Sequence, residues 1–138
     1  MGAGERDSIL VVDDDGDACE VLAAALDQAG FGVKTSLDPL EALALVATYA
    51  PDLVLTDLQM PAMDGVELIR RIGSSGRKVR AVLMTGTDTR DLCTGAHAYG
   101  AEACLVKPID LDQLIWTIEC ALACRTRPSI RRPVLKGR

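Results

Sequence analysis

The sequence predicts an α/β fold, a doubly wound five-stranded parallel sheet with helices on both faces in a three-layer sandwich. Three observations predict it. Five short apolar runs alternate with five helix-period stretches along most of the chain. Four of those runs are almost continuously apolar, as strands covered on both faces are, and do not alternate with polar residues. The length of 138 residues, with 49% hydrophobic and 25% charged residues, suits one globular domain. Aromatic residues make up only 3%, so the core has to be built from Ala, Leu, Val and Ile.

The first run is Ile9–Val12, and the helix pattern after it covers 17–29, with Val21, Leu22, Ala25 and Leu26 on one face and Gly30 as its stop. The second run, Gly32–Thr35, carries Lys34 and reads as an edge strand. Asp38-Pro39 is an N-cap followed by a proline at the first helical position, and the helix it opens carries Leu40, Leu43 and Ala47 before Pro51. The third run is Leu53–Thr56. Residues 64–73 follow with Val66, Leu68, Ile69 and Ile72, closed by Gly73-Ser-Ser-Gly76. The fourth run is Val79–Met84, followed by a weaker helix pattern over 88–99, with Leu92, Ala96 and Tyr99 on one side and Gly95 inside it. The fifth run is Ala103–Val106. Asp110 caps the last helix, whose stripe is Leu111, Leu114, Ile115, Ile118 and Leu122. Residues 1–7 and 126–138 read as tails around a domain spanning 8–125.

Composition excludes several functions. No apolar run approaches the roughly 18–20 residues of a membrane span. The start, MGAGERDS, lacks the apolar core of a secretory signal. Residues 1–124 hold nine basic and twenty acidic residues, so the body does not bind nucleic acid by bulk charge. All six charged residues of 125–138 are basic, which reads as a solvated linker start. The five cysteines include no CxxC pair and there is one histidine, so a zinc site is hard to assemble. They read as small apolar fillers or surface thiols in a reducing compartment.

In a doubly wound sheet, ligands bind outside the carboxyl ends of the strands. Those ends carry Asp13-Asp14-Asp15, Asp57, Thr85-Gly86-Thr87 and Lys107-Pro108. Any one of them is ordinary loop polarity; four strand ends presenting acid, acid, hydroxyl and amine together are not. Clustered carboxylates repel and resist desolvation unless a cation joins them. An all-oxygen site with few protein ligands suits Mg²⁺, which keeps waters and engages phosphate. A cation, a hydroxyl and one carboxylate free to attack are the parts of phosphoryl transfer to an aspartate.

The stretches ILVVDDD (9–15), LVLTDLQMPAMDG (53–65), VLMTG (82–86) and LVKP (105–108) resemble, in order and spacing, the receiver domain of two-component response regulators. The resemblance covers roughly residues 8–125 and implies a flavodoxin-like sheet of strand order 2-1-3-4-5 with five helices. It implies that Asp57 accepts a phosphoryl group from the phosphohistidine of a sensor kinase or phosphotransfer protein. Asp14, Asp57 and the backbone carbonyl of Gln59 would hold Mg²⁺, with Asp13 acting through a metal-bound water. Lys107 would bind the phosphoryl oxygens, and Thr85 would move toward the phosphorylated aspartate. Asp15 has no required role there and reads as an acid at a helix N-terminus. Pro61 and Gly65 would shape the loop after Asp57, the glycine by tolerating a conformation other residues resist. The Lys107-Pro108 bond is expected to be cis.

Three departures from the family pattern matter. Cys104 stands where an aromatic switch residue is usual and reads as a buried small residue, leaving switching to Thr85 and the fourth helix; the alternative, a redox-sensing thiol, has little support because no basic neighbour adjoins it in sequence. Gly86 replaces a common alanine. Gln59 and Thr87 occupy positions that tune phosphoryl lifetime, and neither is acidic, so a lifetime longer than that of the fastest members is expected. Trp116, Cys120 and Cys124 form an i, i+4, i+8 row outside the core stripe of the last helix, either an interface or a tryptophan lying over its neighbours. His97 is expected on the solvent side. The resemblance further implies a cytoplasmic signalling domain that is not an enzyme beyond its own phosphorylation and dephosphorylation. It would act on a downstream partner or a linked effector domain, with homodimerisation through the fourth helix, fifth strand and fifth helix as an option. The alternatives are a phosphorelay intermediate and a constitutive scaffold. A haloacid-dehalogenase-type phosphatase needs a second acid two residues after the nucleophile, where Gln59 stands, and no phosphate-binding GxxxxGK[ST] loop exists for a kinase or GTPase.

Overall fold

The computed structural model describes residues 6–86, 95 and 97–124. Its elements are β1 (Ser8–Val12), α1 (Gly16–Gln28), β2 (Gly32–Ser36), α2 (Pro39–Tyr49), β3 (Leu53–Asp57), α3 (Gly65–Ser74), β4 (Arg80–Thr85), β5 (Ala103–Val106) and α4 (Leu111–Cys124). The strands form one sheet of order β2-β1-β3-β4-β5, every pairing parallel. Four α-helices lie among the described residues, one fewer than expected. The helix expected over 88–99 falls largely outside them; what is described of it is a 3₁₀ turn at 97–99. The last expected helix is therefore α4.

Strand composition explains the layering. Ile9, Val11, Leu53, Leu55, Val82, Met84 and Leu105 face α1 and α4, where Leu22, Leu26, Leu114 and Ile118 close the core. Leu10, Val12 and Val54 face the other way, under α2 and α3. Alternate residues of a strand point to opposite faces, so a strand needs apolar residues at every position when both faces are covered. β2 is an edge strand, as Lys34 implied. The Lys34 ammonium is exposed and sits over the Tyr49 ring, 5.3 Å from its centroid.

The helix starts are capped by aspartates. Asp15 accepts from the amides of Asp17 and Ala18, Asp38 from Leu40 and Asp64 from Glu67. Asp110 does the same for Asp112 and Gln113. Two helix faces differ from the sequence reading. α2 buries Pro39, Ala42 and Val46, while Leu40 is exposed. Val21 of α1 is also exposed, and Cys19 takes its place in the core. Both helices are apolar around most of their circumference, so periodicity does not select the buried face.

Candidate functional site

Parallel strands bring their carboxyl ends to one edge, and the register aligns them there. Val12 is level with Thr56, Asp57 with Met84, and Thr85 with Val106. Asp13 and Asp14 leave β1, Asp57 closes β3, Thr85 closes β4 and Lys107 leaves β5. Asp13, Asp14 and Asp57 each offer a carboxylate oxygen, all within 4.8 Å of one another. Lys107 reaches back across the sheet edge, its Nζ 3.1 Å from Asp57 Oδ1 and 3.2 Å from Asp13 Oδ2. Asp13 and Asp57 are buried, Asp14 is exposed and Lys107 is half-buried. Asp13 is held further by its Oδ1, which accepts from the Asp15 amide at 3.0 Å. Its backbone carbonyl accepts from the thiol of Cys19.

The electrostatics follow from one ammonium among three acids. Burial pushes the Asp57 carboxyl above its ordinary 3.8. The Lys107 hydrogen bond pulls it down, and the charges of Asp13 and Asp14 push it up again. Burial opposes the charge on Lys107, but its hydrogen bond to Asp57 and the charges of Asp13 and Asp57 outweigh that, and it holds its proton more tightly than usual. Both partners gain proton affinity, Asp57 first through burial and Lys107 through its acidic neighbours. Three carboxylates offering hard oxygens beside open space are a donor set that suits Mg²⁺.

The remaining expected residues surround the cluster. Thr85 is fully buried, and its carbonyl accepts from the Lys107 amide at 2.7 Å. Gln59 is exposed on the loop after Asp57. The Lys107-Pro108 bond is cis. Thr87 lies outside the described residues. Pro61 accepts from the Met63 amide at 2.7 Å, and the Ala62 between them has φ 72°. Gly65 is needed for a different reason from the one its sequence position implied. It has no unusual backbone conformation; a Cβ there would overlap the Asp57 carbonyl oxygen and stand 2.9 Å from Leu83 Cδ1. The glycine lets α3 start directly against the backbone of Asp57. Asp15 caps α1 and points its amide, not its carboxylate, at the cluster.

Sequence reasoning missed two features. One is the groove of about 420 Å³ beside the cluster, where Val21 and Leu111 flank Asp13 and Lys107. The other is Cys104, which is half-buried and disulfide-bonded instead of being a plain small filler. No cysteine spacing signals such a bond, since its partner is brought near only by the fold.

An acidic cluster with one lysine at the carboxyl edge of a flavodoxin-like parallel sheet defines a class of phosphate-handling α/β signalling domains. The chain belongs to the response regulator receiver domain family, whose family model matches residues 9–119. It is 38% identical over 121 residues to the transcriptional regulatory protein ZraR of Klebsiella oxytoca, covering 88% of this chain and 27% of that protein. It is 37% identical over 120 residues to the response regulator MprA of a Mycobacterium species, covering 87% of this chain and 52% of MprA. The chain thus spans about a quarter to a half of the length of these relatives. The crystal structure of the receiver domain of NtrX from Brucella abortus superposes with a TM-score of 0.78 at 32% identity, covering 83% of this chain and 98% of that one. No helix among the described residues is long and apolar enough to cross a membrane.

Proposed function

We propose that residues 8–125 form a phosphoacceptor domain in which Asp57 takes a phosphoryl group from the phosphohistidine of a sensor kinase or phosphotransfer protein. The observation that carries this reading is the Asp13, Asp14, Asp57 and Lys107 constellation at one sheet edge. A carboxylate oxygen of Asp57 attacks phosphorus, an O–P bond forms and the P–N bond to the donor imidazole breaks. The Lys107 ammonium, already beside Asp57, pairs with the oxygens of the incoming group and balances its charge. Thr85, at the end of the neighbouring strand, then turns its hydroxyl to a phosphoryl oxygen and pulls the β4–β5 connection with it. Asp13, Asp14, Asp57 and the Gln59 carbonyl would hold Mg²⁺, which when bound neutralises phosphoryl oxygens in the transfer.

The donor approaches along the groove between α1 and the loop before α4, where exposed Val21 and Leu111 flank the acids. Output passes to a downstream partner or a linked effector domain in the cytoplasm, as the family's role implies. Trp116, 66% exposed on α4, is the favoured contact for such a partner or for a second copy. The test is incubation with Mg²⁺ and acetyl phosphate followed by intact mass. One added phosphoryl group, absent from Asp57→Asn, is the expected result. No adduct with any donor would instead favour a constitutive scaffold.

A further inference from the structure

The charges of the folded domain are sorted by layer. α1 and α4 pack on one face of the sheet, α2 and α3 on the other. Neither α1 nor α4 contains a Lys or Arg, and Asp17, Glu20 and Asp27 of α1 and Asp112 and Glu119 of α4 are all exposed. The end of α3 and the loop after it are the reverse. Arg70, Arg71, Arg77, Lys78 and Arg80 follow one another closely there, against the two acids that pair with them, Glu67 and Glu102. The Glu67 pairs are solvent-exposed and weak, so Arg70 and Arg71 stay available to a stronger partner. Each face also carries an apolar feature. On α4 the Trp116 side chain stands out into solvent, and its neighbours on the helix surface at i−4 and i+3 are Asp112 and Glu119. On the opposite layer a cleft of about 370 Å³ opens between α3 and the turn at 97–100. Buried Ile69, Ile72 and Ala81 form its floor, half-buried Tyr99 a wall, and exposed Arg70 and His97 its rim.

We propose that Trp116 of one molecule seats in the α3 cleft of a second copy, with Asp112 and Glu119 meeting Arg70 and Arg71 around it, so that copies associate head to tail. An indole in this cleft gains an aromatic neighbour in Tyr99 and a guanidinium within reach of its face in Arg70. A buried aromatic anchor supplies most of the binding energy of a small interface, while complementary charge sets its orientation and rate of assembly. The partner is a second copy because one chain presents both halves, each with the shape and sign that the other requires. Anchor and cleft lie on opposite layers of the sheet, so a molecule cannot fill its own cleft. The contact is therefore heterologous, and a copy bound through α4 keeps a cleft open for the next.

The contact rests on the reading of Trp116 as a partner surface and names that partner; it does not depend on phosphoryl acceptance. No phosphodonor enters its test, so either can fail without the other. Sedimentation equilibrium is run on the full chain with dithiothreitol, which keeps the exposed Cys120 from cross-linking copies. At about 0.01 M salt, where the screening length is about 30 Å, the average mass rises with protein concentration without stopping at a dimer. At about 1 M salt, where that length is about 3 Å, association weakens at least about tenfold. The emission of Trp116, the only tryptophan, moves to shorter wavelength as copies associate. Trp116→Ala removes the anchor and Arg70→Glu reverses the rim. Each variant alone stays monomeric, with circular dichroism matching the wild type. Mixed in equal amounts they form a one-to-one dimer and nothing larger, because the first keeps an open cleft and the second an anchor. A wild type that is monomeric at every concentration overturns the proposal, as does association that survives Trp116→Ala. Association lost in Trp116→Ala but kept in Arg70→Glu overturns it in favour of α4 packing on another α4 or on the basic residues 125–138. A mixture of the two variants that stays monomeric overturns it as well.

Discussion

Gly65→Ala tests how tightly α3 is seated against the phosphoacceptor strand. The added methyl would overlap the carbonyl oxygen of Asp57, with the carbonyl carbon at 3.1 Å and Leu83 Cδ1 at 2.9 Å. Leu83 is fully buried and Asp57 is pinned by its strand, so neither is the free end of a flexible side chain. Overpacking of this kind costs roughly 3 kcal/mol. For a domain of this size that is a fall of about 10 °C in Tm. The same helix holds its own control. A methyl added at Gly73 would meet nothing within 4 Å, and the position is exposed, so Gly73→Ala is expected to stabilise by up to about 1 kcal/mol through helix propensity alone. Urea unfolding followed by circular dichroism measures both. A Gly65→Ala protein within about 0.5 kcal/mol of wild type, or one that tracks Gly73→Ala, would refute the close-approach argument.

Three further expectations concern the cluster and its frame. Asp57 has a raised pKa in the folded state, so its protonated form is favoured by folding. The stability this contributes is fully present below the unfolded value, near 3.8, and is lost as pH rises through the folded value. Without divalent cations, Asp57→Asn should therefore melt above wild type at neutral pH, with the gap closing as pH falls toward 3.8; a gap that widens on acidification would contradict this. Mg²⁺ should raise the wild-type Tm, by about 2.7 kcal/mol of stability at a hundredfold excess over its dissociation constant. Asp14→Asn should blunt that rise, and calorimetry with and without chelator reads both. Asp15→Ala removes the cap of α1 and should cost about 1 kcal/mol while leaving phosphoryl uptake unchanged, which separates the third acid of the run from the first two.

What was legible in the sequence follows from what the chemistry constrains locally. Strands covered on both faces must be apolar throughout, so the five runs and the edge position of β2 could be read directly, and Asp38-Pro39 marked the start of α2 because its capping is local. The cluster was legible because parallel strands carry their carboxyl ends to one edge, which turns separate motifs into neighbours. Three things were not. The buried face of α2 was hidden because Leu40, Leu43, Leu45 and Val46 leave little polar contrast around the helix. The role of Gly65 depends on how closely α3 approaches Asp57, a tertiary distance with no sequence signature. The disulfide at Cys104 likewise depends on a partner brought near only by the fold, and an odd number of scattered cysteines without a CxxC pair points elsewhere.

The central claim is that Asp57, and no neighbouring acid, carries the phosphoryl group. Reduction of the phosphorylated protein with borohydride converts an acyl phosphate to an alcohol, so an aspartate that held the group becomes homoserine. Digestion and peptide sequencing by mass then locate it. The account predicts homoserine at position 57 alone, with its yield sharply reduced in Lys107→Ala. Homoserine at position 13, 14 or 15, or none in a protein that has demonstrably gained a phosphoryl group, would contradict it.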